Sequence, residues 1–537
     1  MSRINLETSL TFPKKYWSND IQEVFTDSLI NLLISLHRKF ESKRIELINQ
    51  RFQRQKEFDM GKVPEFLASD SEAVHGSWKI SPLPTDLLCR RVEITAPVNS
   101  AKMIINMFNR NELGARADMG LLDFEDTIRP TFGNILSGYK NVIATVNGTL
   151  QYNDEINTYK LNPSDMAYPM IRPRGLHLNE DNILIENYPI SAGLLDLTVC
   201  FFHTAHILLE QNKNPKYYIP KCEHYLEARW WNDLFTELEE ALHIPVGKLK
   251  ATFLIETLPA AFQVEEILFE IRDHAAGLNV GRWDKIFSDI KILRNHPHRV
   301  MADRSTITMD RPWMENYAKR VIKICHERGA LALGGMTPVT PGKTPEIRKE
   351  QIEKVFIDKK REAEWGHDGC CVSHPYFIGP ALEAFPFINQ LNKTLPSFDK
   401  YSNILPQGIG PYTLDGLRTN IRVGIVYMYG WQKDSGRISI DNRIEDLATL
   451  EISRVQVWQW LHHHIKLIDG TKVTTDLVKR IFLEEYEKLL AQMKKENSLF
   501  SINSLESDLK QARDVASDLF LAEELTDFLT LSSEEDK

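Results

Sequence analysis

From about residue 90, the sequence alternates between short apolar segments and stretches with helical periodicity. Apolar runs rich in β-branched residues are typical of strands buried on both faces, and intervening helices favour parallel pairing of these strands. Eight such segments occur: Glu93–Val98, Gly120–Phe124, Tyr168–Arg172, Tyr217–Pro220, Ala251–Thr257, Gly277–Val280, Ala330–Gly335 and Cys370–His374. Met314–Glu327, before the seventh segment, repeats apolar residues at helical spacing. Eight strands alternating with helices over roughly 290 residues predict an α/β fold, a (β/α)8 barrel with insertions.

Flanking regions of different character surround the predicted barrel. Residues 1–85 predict an N-terminal helical segment, residues 86–380 the barrel, and residues 381–537 a C-terminal helical domain. Within that last domain helices are expected at Thr419–Trp431, Arg443–His464 and Thr475–Asn497. Asn147-Gly148, between Val142–Val146 and Thr149–Tyr152, is a strong hairpin signal and predicts a small β insertion.

Charge and cysteine content narrow the class of protein. The 65 basic and 74 acidic residues give a net charge of -9, which disfavours a general nucleic-acid binder. Six cysteines occur without C-x-x-C spacing, so reduced thiols are expected rather than disulfides or a zinc site. The first twenty residues are polar and include Pro13, and no apolar run approaches the ~20 residues that cross a bilayer. A cytoplasmic protein without a membrane partner is therefore expected.

Polar side chains follow several of the predicted strands. They are Asp123, Glu125, Asp126, Arg172, Arg174, Glu256 and Asp284. Because barrel enzymes carry their chemistry at the carboxyl ends of the strands, these residues suggest a site for an anionic substrate and a metal ion. Mg²⁺ suits one or two carboxylates, whereas zinc is disfavoured because no histidine pair has ligand spacing there. Structural ion pairs are the alternative for each residue taken singly.

Three other motifs favour structural explanations. His462-His463-His464 cannot converge on one ion from a helix, because consecutive side chains point about 100° apart. Gly334-Gly335 lacks the lysine and spacing of a phosphate-binding loop, so close backbone packing is expected. Gly277 could end the helical pattern that precedes it, as a C-cap, or could lie in the predicted strand.

The segment Arg272–Asp284, with the sequence RDHAAGLNVGRWD, closely resembles the signature of the malate synthase family. Phe253–Ala260, Arg172–Leu178 and Ile444–Thr449 resemble further family segments and occur in the family's order. The resemblance extends from Trp78 to the C-terminus and matches the short A-type form with its TIM barrel. Departures are Lys285, where tyrosine is usual, and Leu121-Leu122, where Met-Ala is usual.

This resemblance implies a Mg²⁺-dependent enzyme of the glyoxylate cycle. It would condense acetyl-CoA with glyoxylate and hydrolyse malyl-CoA to malate and CoA. Carried over to this sequence, Arg172 and Asp446 would be the catalytic pair, and Glu256 and Asp284 would hold the metal. Acetyl-CoA and glyoxylate would be its partners, with oligomeric state left open between monomer and homo-oligomer.

The residue types suggest how the roles divide. Asp446 is expected to be ionised, because it lies near the start of a predicted helix whose N-terminal end favours a carboxylate, and to act as the base. Arg172 would stabilise the enolate oxygen. The backbone of Gly281, Arg282 and Trp283 would bind glyoxylate. Glu125 and Asp126 would orient the water molecules bound to the metal, or Arg172.

Two alternatives share this scaffold. A malyl- or citramalyl-CoA lyase would use the same barrel, Mg²⁺ and acyl-CoA chemistry, but without obligatory thioester hydrolysis. The long C-terminal domain with Asp446 favours the synthase. An inactive barrel acting as a binding protein would require lost catalytic residues, whereas all four are present.

Overall fold

The computed structural model describes residues 3–7, 9–16, 18–68, 70–496 and 502–529. Its strands in chain order are β1 (Arg3–Glu7), β2 (Leu10–Pro13), β3 (Val92–Pro97), β4 (Met119–Asp123), β5 (Gln151–Asn153), β6 (Thr158–Lys160), β7 (Tyr168–Arg172), β8 (Asn179–Ile185), β9 (Tyr188–Ser191), β10 (Lys216–Ile219), β11 (Lys250–Ile255), β12 (Ala275–Val280), β13 (Leu331–Thr337), β14 (Gly369–Val372), β15 (Ile438–Ile440) and β16 (Arg443–Glu445).

The α-helices in chain order are α1 (Asn19–Val24), α2 (Asp27–Asp59), α3 (Glu72–His75), α4 (Ala101–Phe108), α5 (Phe132–Val146), α6 (Ala192–Glu210), α7 (Tyr225–Ala241), α8 (Leu258–Phe262), α9 (Val264–Glu270), α10 (Trp283–Ile292), α11 (Pro312–Arg328), α12 (Pro345–Trp365), α13 (Ile378–Ala384), α14 (Leu414–Gln432), α15 (Leu447–His462), α16 (Thr475–Glu496) and α17 (Ile502–Phe520). Asn497, the predicted end of α16, lies outside the described residues.

A closed barrel of eight parallel strands forms the centre of the fold. The strands follow one another in the order β3, β4, β7, β10, β11, β12, β13 and β14, and β14 pairs with β3. All eight predicted strands are confirmed, and the barrel architecture with them. Gly277 lies within β12, where a Cβ atom would stand 2.3 Å from the Leu331 carbonyl oxygen. Its role is therefore close strand packing, and the C-cap alternative is wrong.

The predicted hairpin at Asn147-Gly148 is wrong in position. Val142–Val146 forms the last turns of α5, and Gly148 follows with a φ of +70°. An Asn-Gly pair suits the end of a helix as well as a hairpin, because both need a left-handed residue. The small β insertion exists directly afterwards, where β5 pairs with β6.

A second antiparallel sheet, in the order β1-β2-β8-β9, was not predicted. The first two strands come from the N-terminal segment, so that segment is helical only in part. The hairpin of β8 and β9 is inserted after barrel strand β7. The long helix α2 lies against the barrel, where its Arg51 guanidinium donates hydrogen bonds to both Glu227 carboxylate oxygens at 2.7 and 2.8 Å.

The C-terminal helices pack around an apolar core of their own, which includes Ile421, Leu450, Trp460, Ile481 and Phe520. Helix α15 also packs against α10, which follows barrel strand β12. Two hydrogen bonds join the last turns of α15 to the loop that follows α10. Met301 N donates to Gln459 Oε1 at 2.9 Å, and Trp460 Nε1 donates to the Met301 carbonyl at 2.9 Å. At the other end of α15, Leu447 N donates to the Asp126 carbonyl at 3.3 Å, which holds the start of the helix beside the carboxyl end of barrel strand β4.

Among the described residues, α6 is the one helix that is long and apolar enough to cross a membrane, and 72% of its apolar window is buried. It lies against α5 and α7 inside the fold. Such burial is typical of a helix in the core of a folded protein.

Candidate active site

Predicted site residues converge at the carboxyl end of the barrel. A cavity of about 100 Å³ is lined by eight of the nine: Asp126, Arg172, Glu256, Gly281, Arg282, Trp283, Asp284 and Asp446. Glu125 lies beside them and lines a second cavity, which shares Asp126 and Asp284 with the first. Residues as many as 320 positions apart in the sequence are thus brought into one cluster.

Arg172, the last residue of β7, is held by the acid that ends the neighbouring strand β4 and by two acids that follow this strand. Its Nε and Nη2 donate to the two oxygens of Asp123 at 2.6 and 2.7 Å. Its Nη1 lies 3.1 Å from Asp126 Oδ2 and 3.6 Å from Glu125 Oε2. Burial alone would lower the pKa of this guanidinium, but the three acids outweigh burial and raise it. Arg172 is therefore a fixed, permanently charged donor.

Glu256 follows β11, and the position of its side chain depends on Gly281, which follows the neighbouring strand β12. A Cβ atom on Gly281 would stand 2.6 Å from Glu256 Cβ, so only glycine leaves this carboxylate its space. Glu256 Oε1 accepts a hydrogen bond from Lys221 N at 2.8 Å. Burial first, and then Asp284 and Asp126, raise the pKa of Glu256 to about 8, against the lowering effect of Lys221.

Arg282, Trp283 and Asp284 form the start of α10. Arg282 Nη2 donates to the Ile307 carbonyl at 3.2 Å, and its guanidinium lies 4.7 Å from the centre of the Trp283 ring. The Arg282 side chain thus has partners of its own away from Glu256. This segment is the start of a helix, and the first N–H groups of a helix have no partner within it and can bind an anionic ligand.

Asp446 is the N-cap of α15 and forms a capping box with Thr449. Asp446 Oδ1 accepts from Thr449 N at 3.2 Å, and Thr449 Oγ1 accepts from Asp446 N at 2.8 Å. Burial, with Asp126 and Asp284 nearby, raises the pKa of Asp446 to about 7. The helix argument alone predicted a readily ionised carboxylate. Burial and neighbouring negative charge outweigh the helix end.

Lys221 was not predicted, although it stands at the centre of the cluster. Its Nζ lies 2.7 Å from Asp284 Oδ1, 3.2 Å from Asp126 Oδ2, 3.6 Å from Glu125 Oε1 and 3.8 Å from Glu256 Oε1. It follows β10 closely, so its strand-end position was a usable signal. Arg437, which lines the cavity from the loop before β15, was also missed because no strand precedes it.

The cluster suits a hard divalent cation. Both oxygens of Glu125 are buried without a hydrogen-bond partner, and burial followed by Asp126 raises the pKa of Glu125. Unpartnered oxygens and raised carboxyl pKa values indicate an excess of negative charge that a cation would relieve. No group of three or more His, Cys, Asp or Glu side chains in the described part of the chain forms a ready-made metal cage. Two carboxylates, completed by water and substrate oxygens, are what Mg²⁺ typically uses.

The remaining sequence motifs have structural roles. His462 stacks on Trp458 at 4.5 Å, whereas His463 Nε2 lies 2.7 Å from the Arg294 carbonyl oxygen, so the two rings do not share an ion. A Cβ atom on Gly334 would meet Glu362 Oε2 at 2.3 Å. The glycine pair therefore serves close packing, as its sequence predicts.

Comparison with known proteins identifies the family. Family models match in order: "Malate synthase, N-terminal domain" over residues 11–72, "Malate synthase, TIM barrel domain" over residues 169–400, and "Malate synthase, C-terminal" over residues 411–536. "Malate synthase A" of Escherichia coli is 37% identical over 97% of this chain and 97% of its own length.

Two further relatives match over most of the chain. A Myxococcus xanthus malate synthase is 41% identical over 96% of this chain and 95% of its own length. A Dictyostelium discoideum malate synthase is 41% identical over 88% of both chains. Other relatives are named as glyoxysomal, so the cytoplasmic location stays a prediction. Identity at this level over nearly the whole chain, with all three family models matched in order, shows that the chain belongs to the malate synthase family of enzymes.

Proposed function

We propose that this chain condenses acetyl-CoA with glyoxylate and hydrolyses the resulting malyl-CoA to malate and CoA, with Mg²⁺ as cofactor. One observation carries the proposal. The Asp446 carboxylate from the C-terminal domain lines the same cavity as Arg172, Glu256 and Asp284 of the barrel. A base, a fixed cation and a pair of metal-type carboxylates are the groups that this condensation needs.

Glu256 and Asp284 would hold Mg²⁺. Bound there, the ion would polarise the aldehyde of glyoxylate and so make its carbon more electrophilic. The backbone of Gly281, Arg282 and Trp283 would bind the glyoxylate carboxylate, since the start of α10 presents N–H groups that favour an anion. Glu125 and Asp126 would orient water and Arg172 from the other side of the cluster.

Asp446 would remove a proton from the methyl group of acetyl-CoA. A base works best when its pKa lies near the working pH, and a pKa of about 7 meets that condition. Arg172 cannot take this role, because neighbouring acids raise its already high pKa. Its Nη1 would instead stabilise the negative charge of the enolate oxygen. The enolate carbon would then form a bond to the aldehyde carbon of glyoxylate, whose C=O π electrons pass to the oxygen, and that oxygen would take up a proton to give malyl-CoA. Water would then cleave the thioester to release malate and CoA.

The direct test is glyoxylate-dependent release of CoA, followed with a thiol-reactive dye with and without Mg²⁺. The proposal expects CoA release that requires acetyl-CoA, glyoxylate and Mg²⁺ together. Condensation without CoA release would instead indicate a lyase of the malyl-CoA or citramalyl-CoA type. No glyoxylate-dependent change at all would support the binding-protein alternative and overturn the proposal.

A further inference from the structure

Lys221 places a single ammonium group among four carboxylates. Its Nζ lies within 3.8 Å of Asp284, Asp126, Glu125 and Glu256. The side chain is buried, at 6% exposure, so water does not screen these contacts. An ordinary ion pair joins one ammonium group to one carboxylate, whereas Lys221 has four carboxylate partners.

The backbone of Lys221 is fixed from two sides. Its N–H donates to Glu256 Oε1 at 2.8 Å, and its carbonyl accepts from Arg51 Nη2 at 2.8 Å. Its φ of +54° is left-handed, a conformation that residues with a side chain rarely adopt. Neighbouring groups thus hold the lysine in an unfavourable conformation that directs its side chain into the cluster.

We infer that Lys221 is a built-in counter-ion of the metal site. In the metal-free enzyme its ammonium group holds the four carboxylates together, and binding of Mg²⁺ displaces that group from Asp284 and Glu256. The inference rests on the proposed role of these two acids as ligands. Mg²⁺ binds oxygen at about 2.0–2.1 Å, so the ion and an ammonium group 2.7 Å from Asp284 Oδ1 would compete for the same oxygens.

The displaced ammonium group has space to occupy. Lys221 lines the second cavity, of about 600 Å³, which Arg282 and Trp283 do not line. Glu125, Asp126 and Asp284 line that cavity too, whereas Glu256 does not, so the ammonium group can move away from Glu256 and the shared oxygen of Asp284 while it stays beside Glu125 and Asp126. An exchange of partners within one cluster, without opening of the barrel, is what the geometry supports.

Calorimetric titration of Mg²⁺ into metal-free enzyme tests this inference without glyoxylate or acetyl-CoA. Lys221→Met removes the competing charge, so Mg²⁺ should bind more tightly, by a factor on the order of ten. The same variant should have a lower midpoint of thermal unfolding than the wild type when metal-free. The difference should shrink at saturating Mg²⁺, because the ion then holds the carboxylates. Unchanged or weaker Mg²⁺ binding by Lys221→Met would overturn the inference.

Matched variants separate competition from a purely structural role. Lys291→Met removes another buried lysine, whose Nζ lies 2.6 Å from Glu223, and should lower stability without changing Mg²⁺ affinity. Lys221→Arg keeps the charge and should bind Mg²⁺ nearly as the wild type does. Should Lys221→Met not fold, Lys221→Gln replaces it, with the same expected tightening and the same contradicting result. A wild type that binds no Mg²⁺ would overturn the ligand assignment itself, whereas equal affinities in wild type and variant would overturn only the role of Lys221.

Discussion

Replacing Gly281 with alanine is expected to disable the metal site while leaving the barrel folded. The new methyl carbon would stand 2.6 Å from Glu256 Cβ, whereas ordinary contacts begin near 3.4 Å. Glu256 cannot avoid this contact by turning its side chain, because its Cβ is fixed to the backbone. The carboxylate, or the strand extension that carries it, must therefore move by nearly 1 Å.

The size of the effect follows from that displacement. A misplacement of about 1 Å at a reacting centre costs roughly 100-fold in rate, so kcat/KM should fall by about that factor. Overpacking of a well-packed site costs typically about 1–3 kcal/mol, which sets the expected loss in free energy of unfolding. Mg²⁺ affinity should fall as well, because Glu256 is one of the two proposed ligands.

Steady-state CoA release and chemical denaturation measure these changes together. Gly379→Ala is the control, since a Cβ atom there meets nothing within 4 Å, and this variant should keep wild-type activity. A Gly281→Ala enzyme with wild-type kcat/KM and Mg²⁺ affinity would refute the assignment of Glu256 to the metal.

Three further expectations can be checked on the same protein. Asp284→Ala should raise the Mg²⁺ concentration needed for activity sharply, and an unchanged Mg²⁺ titration would count against its role as a ligand. Burial raises the pKa of Glu256 to about 8 from an ordinary 4.5, so the metal-free folded state retains a proton that the unfolded chain releases. Stability of the metal-free enzyme should accordingly fall as pH rises from about 4.5 to 8, by a few kcal/mol at about 1.4 kcal/mol per pKa unit. Thermal unfolding should show a larger stabilisation by Mg²⁺ at pH 8.5 than at pH 6, and an equal stabilisation would contradict this linkage. A chain ending near residue 400 should lack CoA release even if circular dichroism shows a folded barrel, because Asp446 would be missing.

The barrel strands could be predicted because each one carries its own local signal. A buried parallel strand such as Ala275–Val280 is a short apolar run, and the alternation with helices is visible along the chain. The Asn147-Gly148 hairpin failed because that dipeptide also ends helices, and the buried residues of α5, such as Ile135, Tyr139 and Val142, are spaced as a helix requires. The pairing of β2 with β8 joins segments far apart in the sequence and leaves no local trace.

The sequence predicted most of the residues that form the candidate site, but not their charge partners or pKa values. Glu256 and Asp284 could be named from strand ends and family segments, whereas the strand-end position of Lys221 gains its meaning from the four acids that surround it. Asp446 was correctly expected at a helix start, but its pKa depends on burial and on Asp126, which lies 320 positions earlier. The domain boundaries at residues 85 and 380 stay predictions.

Loss of tritium from the methyl group of labelled acetyl-CoA tests the central claim, that Asp446 removes the proton. An Asp446→Asn enzyme should show no tritium release, while Mg²⁺-dependent binding of glyoxylate stays near the wild-type level because Glu256 and Asp284 are intact. The capping hydrogen bond from Thr449 N to Asp446 Oδ1 can be kept by the asparagine oxygen, so α15 should start at the same residue. Tritium release at the wild-type rate from Asp446→Asn would contradict the assignment of Asp446 as the base.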